Sequence, residues 1–392
     1  MEKKTAVKGI SPKNGDFKER IKVEDLPSEI SPEEEKLFLS VIDESIAAER
    51  LEEIESKGPV FPGITEVMAL HWHPEFVPLD SVRKRFEKTF PDMRESVFIP
   101  TQHNEILSCG EYSGMEIDCY SREFGRKVQL LIHFKGSKEK ASGTMTSMVE
   151  RTFKYRSSQM FELLDCLCRP FDAPAAKSAA QAGGASDQLL KFVASNAVKF
   201  SVLFGRHRKK IPPASVKNKL IRNYFDELRR IFEDRSVNLA QIFIKEAKQE
   251  IKRMFGTGFF YETRSVIEEA RAIGAGVIVP HPEQFWPVLL AGYDVDGYEV
   301  WNPQSREYTE FLISVLGEAN RQRKKNNKLV VFMGDDTHMG EKARPLELRQ
   351  PDKAGREVGR QPAWEDPAIM KKLGEYGFSR SRSISEYKSR LG

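Results

Sequence analysis

The apolar residues of this chain fall into two textures. From Gly63 onward they come in short bounded runs, and most of these runs end at a histidine. ITEVMAL leads into His71 and His73, ESVFIPTQ into His103, KVQLLI into His133, GAGVIVP into His281 and KLVVFMGDD into His338. Such runs, mostly rich in Val and Ile, read as buried strands. GMEIDCY and GYEVWN add two more, carrying Glu116 and Glu299. Parallel strands alternating with helices collect functional groups at their carboxyl ends, so one layer of ligands is expected.

The second texture fills the long interval between His133 and GAGVIVP, far more chain than one crossover helix needs. It has helical spacing: Leu220, Tyr224, Leu228, Ile231 and Phe232 make one apolar face. The stretch APAAKSAAQAGGAS is expected to be a loop between two of these helices. Nearer the start, Ser31, Pro32 and Glu34 form a helix start signal with a capping box, and Gly58 a stop. The expected organisation is an N-terminal arm and helix over 1–60, the first part of an α/β barrel over 61–140, a helical insertion over 141–264, the second part of the barrel over 265–345, and a tail with one helix over 346–392. Residues 1 to about 30 are polar, without periodicity, and read as a poorly ordered arm.

Composition narrows the class without naming a partner. A formal charge of +4 on 392 residues is small. It points to neither nucleic acid nor an acidic membrane surface by itself. Locally the balance differs: from Gly205 to Gly256 fourteen Lys or Arg stand against six Asp or Glu. That excess makes nucleic acid a possible partner of the insertion, beside the reading of solvated helix faces. The four cysteines, Cys109, Cys119, Cys166 and Cys168, lack the spacing of a zinc site or disulfide framework. No segment has the ~18 apolar residues of a membrane span and the N-terminus has no signal-peptide core, so a cytoplasmic protein is expected.

Candidate chemistry follows from the histidines. His71 and His73 are two apart on an expected strand, so the pleat sends both rings to one side, where they can share a metal. Asp336 and His338 repeat that spacing. His281 stands between Pro280 and Pro282, on backbone stiffened from both sides. His207, in RHRKK, is expected to be solvated.

In this order the motifs resemble those of the polymerase and histidinol phosphatase (PHP) superfamily of metallohydrolases. HWH resembles its His-x-His motif, TQHN its Thr-Asp-His-Asn segment, GMEID its Gly-x-Glu strand, PHP at Pro280–Pro282 its Ala-His-Pro, and GDDTHMG its closing Gly-Ser-Asp-x-His-Gly. GYEVWN fits the Gly-x-Glu-Val strand between the last two. The likeness covers roughly residues 63 to 136 and 265 to 340. It implies a distorted (β/α)7 TIM-like barrel holding two or three divalent ions, Zn, Mn or Fe, at its C-terminal face. The implied metal ligands are His71, His73, His103, Glu116, His133, His281, Asp336 and His338. Glu116 and Asp336 are the implied catalytic residues, with Asp336 also receiving a proton from a metal-activated water.

The chain departs from that pattern in places. Gln102 replaces an aspartate, the ligand expected a few residues after His-x-His has no clean match and leaves Glu75 or Asp80 as candidates, Gln129 fills a histidine position, and Gln284 stands near a usual arginine. A phosphoesterase acting on a small phosphorylated or nucleotide-like substrate is the first expectation. Hydrolysis of a C–N or carboxylic ester bond, or a non-catalytic metal-binding scaffold, are the alternatives.

Overall fold

A computed structural model describes residues 29–324, 327–344, 346 and 349–392. Most of the expected N-terminal arm lies outside the described residues. The described residues divide into two compact units, 29–43 with 156–255 and 44–155 with 256–392.

The first unit is helical. Its helices include Pro32–Ile42, Asp187–Arg206, Asn218–Glu227 and Asp234–Met254, and its core gathers Phe38, Phe192, Phe200, Tyr224 and Phe232. The capping box forms as the sequence signals: Ser31 Oγ accepts from the Glu34 amide at 3.1 Å while Glu34 Oε2 accepts from the Ser31 amide at 2.8 Å. The other oxygen of Glu34 pairs with Lys199 Nζ at 2.8 Å, both side chains almost fully buried. Lys199→Met strands that carboxylate, and an expected loss of about 3–5 kcal/mol in chemical denaturation follows. The Glu34→Gln/Lys199→Met double variant should recover part of it.

Two expectations change here. APAAKSAAQAGGAS holds the helix Pro174–Gly183 rather than a loop. Alanine is the strongest helix former, Pro174 suits the first turn, and Gly184 caps the end at φ 61°. The helix expected from Ser31 to Gly58 is two, Pro32–Ile42 and Ala48–Ser56.

The second unit is mixed α/β. Its strands are β1 (Glu66–Ala69), β2 (Trp72–His73), β3 (Glu95–Phe98), β4 (Leu107–Cys109), β5 (Tyr112–Ser121), β6 (Arg126–Lys135), β7 (Gly276–Val279), β8 (Gly297–Trp301), β9 (Val330–Met333) and β10 (Thr337–His338). Ladders join β1 with β3, β2 with β10, and β4 to β9 in sequence order. The pairs β1–β3, β2–β10, β7–β8 and β8–β9 are parallel, whereas β6 is antiparallel to both neighbours. The expected all-parallel alternation fails at β6 because only residues 122–125 join it to β5. A hairpin closes in that length and a parallel crossover does not.

Apolar side chains from the β1–β3 pair and from the β4–β9 sheet meet in one cluster. Met68, Leu70, Val97 and Ile99 pack with Leu131, Ile278, Val330 and Phe332, and the terminal helix Arg380–Leu391 adds Ile384, Tyr387 and Leu391. Among the described residues no helix is long and apolar enough to cross a membrane.

Candidate metal centre

The β2–β10 ladder sets Thr337 against Trp72 and His338 against His73, so the His-x-His and Asp-x-His tripeptides lie side by side. The Asp336 amide donates to the His71 carbonyl at 2.9 Å just before that ladder. His103 arrives on the turn after β3. Asn104 fixes that turn to β5: its Nδ2 donates to Asp118 Oδ2 at 2.9 Å and its Oδ1 accepts from the Asp118 amide at 2.8 Å. This brings His103 Nδ1 to 2.5 Å from Oε2 of Glu116. His281 follows β7, and its amide donates to Glu299 Oε2 at 2.9 Å.

Seven of the eight expected ligands converge. Three groups could each hold an ion: His73, His103 and His338; His71, His73 and Asp336; His71, Glu116 and His281. Asp336 Oδ1 lies 3.6 Å from His71 Nε2, 3.6 Å from His73 Nε2 and 3.4 Å from His338 Nε2. Glu116 lies 3.6 Å from His73 Nε2 and 3.7 Å from His281 Nε2. These separations are long for hydrogen bonds. They match the spacing of about 3.4 Å between ligands of a tetrahedral ion with bonds near 2.0–2.1 Å. Buried His71 Nε2, both ring nitrogens of His73 and Glu116 Oε1 have no hydrogen-bond partner, so the donor set fits divalent cations.

The eighth expected ligand, His133, is not brought to the cluster. Because β6 runs antiparallel, its C-terminal end lies beside Gly114 and Gly276, at the starts of β5 and β7, while Leu131 stands opposite Glu116. There the Tyr387 hydroxyl lies 2.8 Å from His133 Nδ1, and burial pulls this histidine down to about 3, keeping it neutral. His207 is not bare either: its Nε2 lies 2.6 Å from Glu35.

Residues outside the expected set support the ligands. His71 Nδ1 donates to Glu299 Oε1 at 2.8 Å, which leaves Nε2 as the donor atom toward the cluster. Burial would lower the pKa of His71, but Glu299 outweighs it and pushes the group up to about 10, so an ion binding at Nε2 must displace a proton there. His338 Nδ1 lies 3.3 Å from Glu75, the first of the two candidates named from sequence. Burial opposes charge on Glu116 and Asp336 as well. The surrounding histidines hold both carboxyls well below the usual range. Burial pulls His73 down to about 3, assisted by His103 and His338, so its lone pair is available to an ion.

All four non-glycine residues at positive φ among those described adjoin this cluster: Glu75 (53°), Asn104 (55°), His281 (29°) and Asp336 (46°). Backbone of this kind is costly and marks functional sites. Gly334 is a steric requirement of another sort. A Cβ there would stand 1.5 Å from Glu299 Oε1 and 3.0 Å from His71 Nδ1. Gly334→Ala is therefore expected to weaken cation affinity about 10–100-fold by displacing the Glu299–His71 bond, read by competition with a chromogenic chelator.

No family model matches the chain, and no curated protein matches it. A solved structure from Bifidobacterium adolescentis, described as "a putative metal-dependent phosphoesterase", matches with a TM-score of 0.40 and 15% identity. The match covers 81% of this chain and 98% of that one.

Proposed function

We propose that this protein is a metal-dependent phosphoesterase of the PHP type. The observation that carries the reading is the convergence of five imidazoles and two carboxylates, with buried donor atoms unpartnered and spaced as ligands of shared cations. Zinc, manganese and iron suit such a set of nitrogen and oxygen donors. Because Nδ1 of His71 is committed to Glu299, His71 serves one ion through Nε2, although it belongs to two of the three groups. Two cations satisfy the set with least sharing.

Strand pairing supports the distorted seven-strand barrel. β10 pairs with β2, which follows β1 in the chain; β1 pairs with β3; His103, beyond β3, bridges Glu116 on β5. From β5 the ladder runs through β6, β7 and β8 to β9, which leads back to β10. Counting β1 with β2 and β9 with β10, and leaving out the edge strand β4, the ring would have seven members, with the apolar cluster of the β1–β3 pair and the β4–β9 sheet in its interior.

Bound divalent cations would supply Lewis acidity and neutralise charge on a phosphoryl group. The chain's own residues do the positioning. Glu299 fixes the His71 tautomer, Asn104 fixes the turn that aims His103, and Glu116 and Asp336 hold negative charge among the imidazoles. Asp336 is also assigned the proton of the attacking water. Elemental analysis of the purified protein beside turnover of a panel of phosphate monoesters and diesters, before and after chelation, tests the reading. Stoichiometric metal with chelator-sensitive turnover is expected; a protein that takes up no divalent metal overturns it.

A further inference from the structure

Asp336 has two differently occupied oxygens. Oδ1 faces His71, His73 and His338, whereas Oδ2 lies 2.5 Å from Gln304 Nε2 and 3.2 Å from Arg356 Nη1. Arg356 Nη1 also donates to the Asp336 carbonyl at 2.9 Å. A cavity of about 570 Å³ opens here, lined by Trp301, Gln304, Arg306, Asp335, Arg356 and Arg360 among others. That volume suits a small-molecule ligand.

Most charges around this cavity are already committed. Glu357 is paired with Arg85 and Lys342, Arg360 with Glu365, and Asp335 accepts from the amides of Thr337 and Gly359. Asp352 is exposed, where water screens it. Among the described residues, Arg306 faces the cavity without an ion pair and Arg356 is paired only through Nη1, to Asp336. Arg306 is exposed and lies over the Trp301 ring at 6.0 Å. The Arg356 side chain is only 10% exposed, and its Nε is buried without a partner. With Nη1 engaged by Asp336, the Nε–Nη2 edge of that guanidinium is the part left to a ligand. Two parallel N–H donors on a planar edge match two oxygens of a phosphoryl group.

We propose that Arg356, with Arg306 and Gln304, forms an anion subsite that grips the phosphoryl group of a small phosphate ester beside the cation-binding carboxylate Asp336. The subsite rests on the metal-centre reading above. It assigns substrate recognition to residues from the β8–helix connection and the C-terminal tail, outside every motif that marks the metal ligands. Arg356 so placed would link the two halves of the reaction centre, bracing Asp336 through Nη1 and meeting substrate through its other edge.

The test uses the full chain loaded with Mn²⁺ or Zn²⁺, and compares wild type, Arg356→Met, Arg356→Lys and Arg306→Ala. Cation content is measured by elemental analysis, inorganic phosphate binding by calorimetry, and KM separately from kcat on a small phosphate monoester. Arg356→Met is expected to keep its cations while phosphate binding weakens by about tenfold or more, the loss of a bidentate charged contact. Arg356→Lys should restore part of the binding, and Arg306→Ala should raise KM by a smaller factor with the fold undisturbed. Phosphate affinity and KM unchanged in Arg356→Met and Arg306→Ala, with cations in place, overturn the subsite and leave the metal centre standing. Loss of cations from Arg356→Met, with Arg306→Ala unaffected, also overturns it, since Arg356 would then only brace Asp336. Wild-type protein that takes up no cation overturns both.

Discussion

His73→Ala is expected to abolish phosphoester turnover, by about a thousandfold or more, and to empty most of the cation sites with it. No other single side chain should do as much. His71 also belongs to two of the three candidate groups, but His73 alone stacks between two further ligands, with ring centroids 4.3 Å from His103 and 4.4 Å from His338. Both of its ring nitrogens are buried without a hydrogen-bond partner, and the ring is fully enclosed. Removing it takes a ligand from two groups and opens a space between the others. His207→Ala is the control, because His207 belongs to the helical unit and pairs with Glu35. Elemental analysis and turnover on both variants check the result; full cation content in His73→Ala would remove His73 from the ligand set.

The second large effect separates a ligand from a proton acceptor. Asp336→Asn keeps the shape of the side chain and one carbonyl oxygen toward His71, His73 and His338, but it cannot take up a proton. Turnover is expected to fall about 10²–10⁴-fold, the usual scale of acid–base assistance, in protein reloaded to full cation content. The same substitution puts an amide opposite the donors of Gln304 and Arg356, which now contact Oδ2 at 2.5 and 3.2 Å. Cation affinity should therefore drop too, and turnover must be compared at saturating metal. Undiminished turnover under those conditions would confine Asp336 to holding ions.

The sequence made the ligand layer readable because each histidine sits where a short apolar run ends. His71, His73, His103, His281 and His338 come to the cluster on that logic. His133 does not, and the reason is directional: a run that ends in histidine says nothing about which way its strand points. The four residues between Ser121 and Arg126 carried that information, since so short a link makes a hairpin. Glu299 was visible as a charged residue inside an apolar strand, a position that demands a partner, yet nothing in the spacing named His71 as that partner. Arg356 and Gln304 were illegible for a different reason. They reach Asp336 from irregular segments, where neither periodicity nor local composition marks a contact.

The helical parts divide along similar lines. The capping box at Ser31 is local chemistry and forms as read. The terminal helix Arg380–Leu391 carries few apolar residues, and its contribution to the core comes through Ile384, Tyr387 and Leu391 alone. A pattern that thin is hard to separate from a solvated tail. The alanine-rich stretch erred the opposite way, where low complexity masked strong helix propensity.

The left-handed backbone at Glu75, Asn104, His281 and Asp336 bears on how the protein would behave as its metal supply changes. Each such residue costs roughly 1–3 kcal/mol, and the set persists only where its surroundings hold it. Cations that bind the arranged ligands and not the unfolded chain offset that cost by mass action. Thermal stability would then climb with the logarithm of free metal concentration. Scarcity would register first as softening around four adjacent turns, and only later as unfolding of the strands behind them.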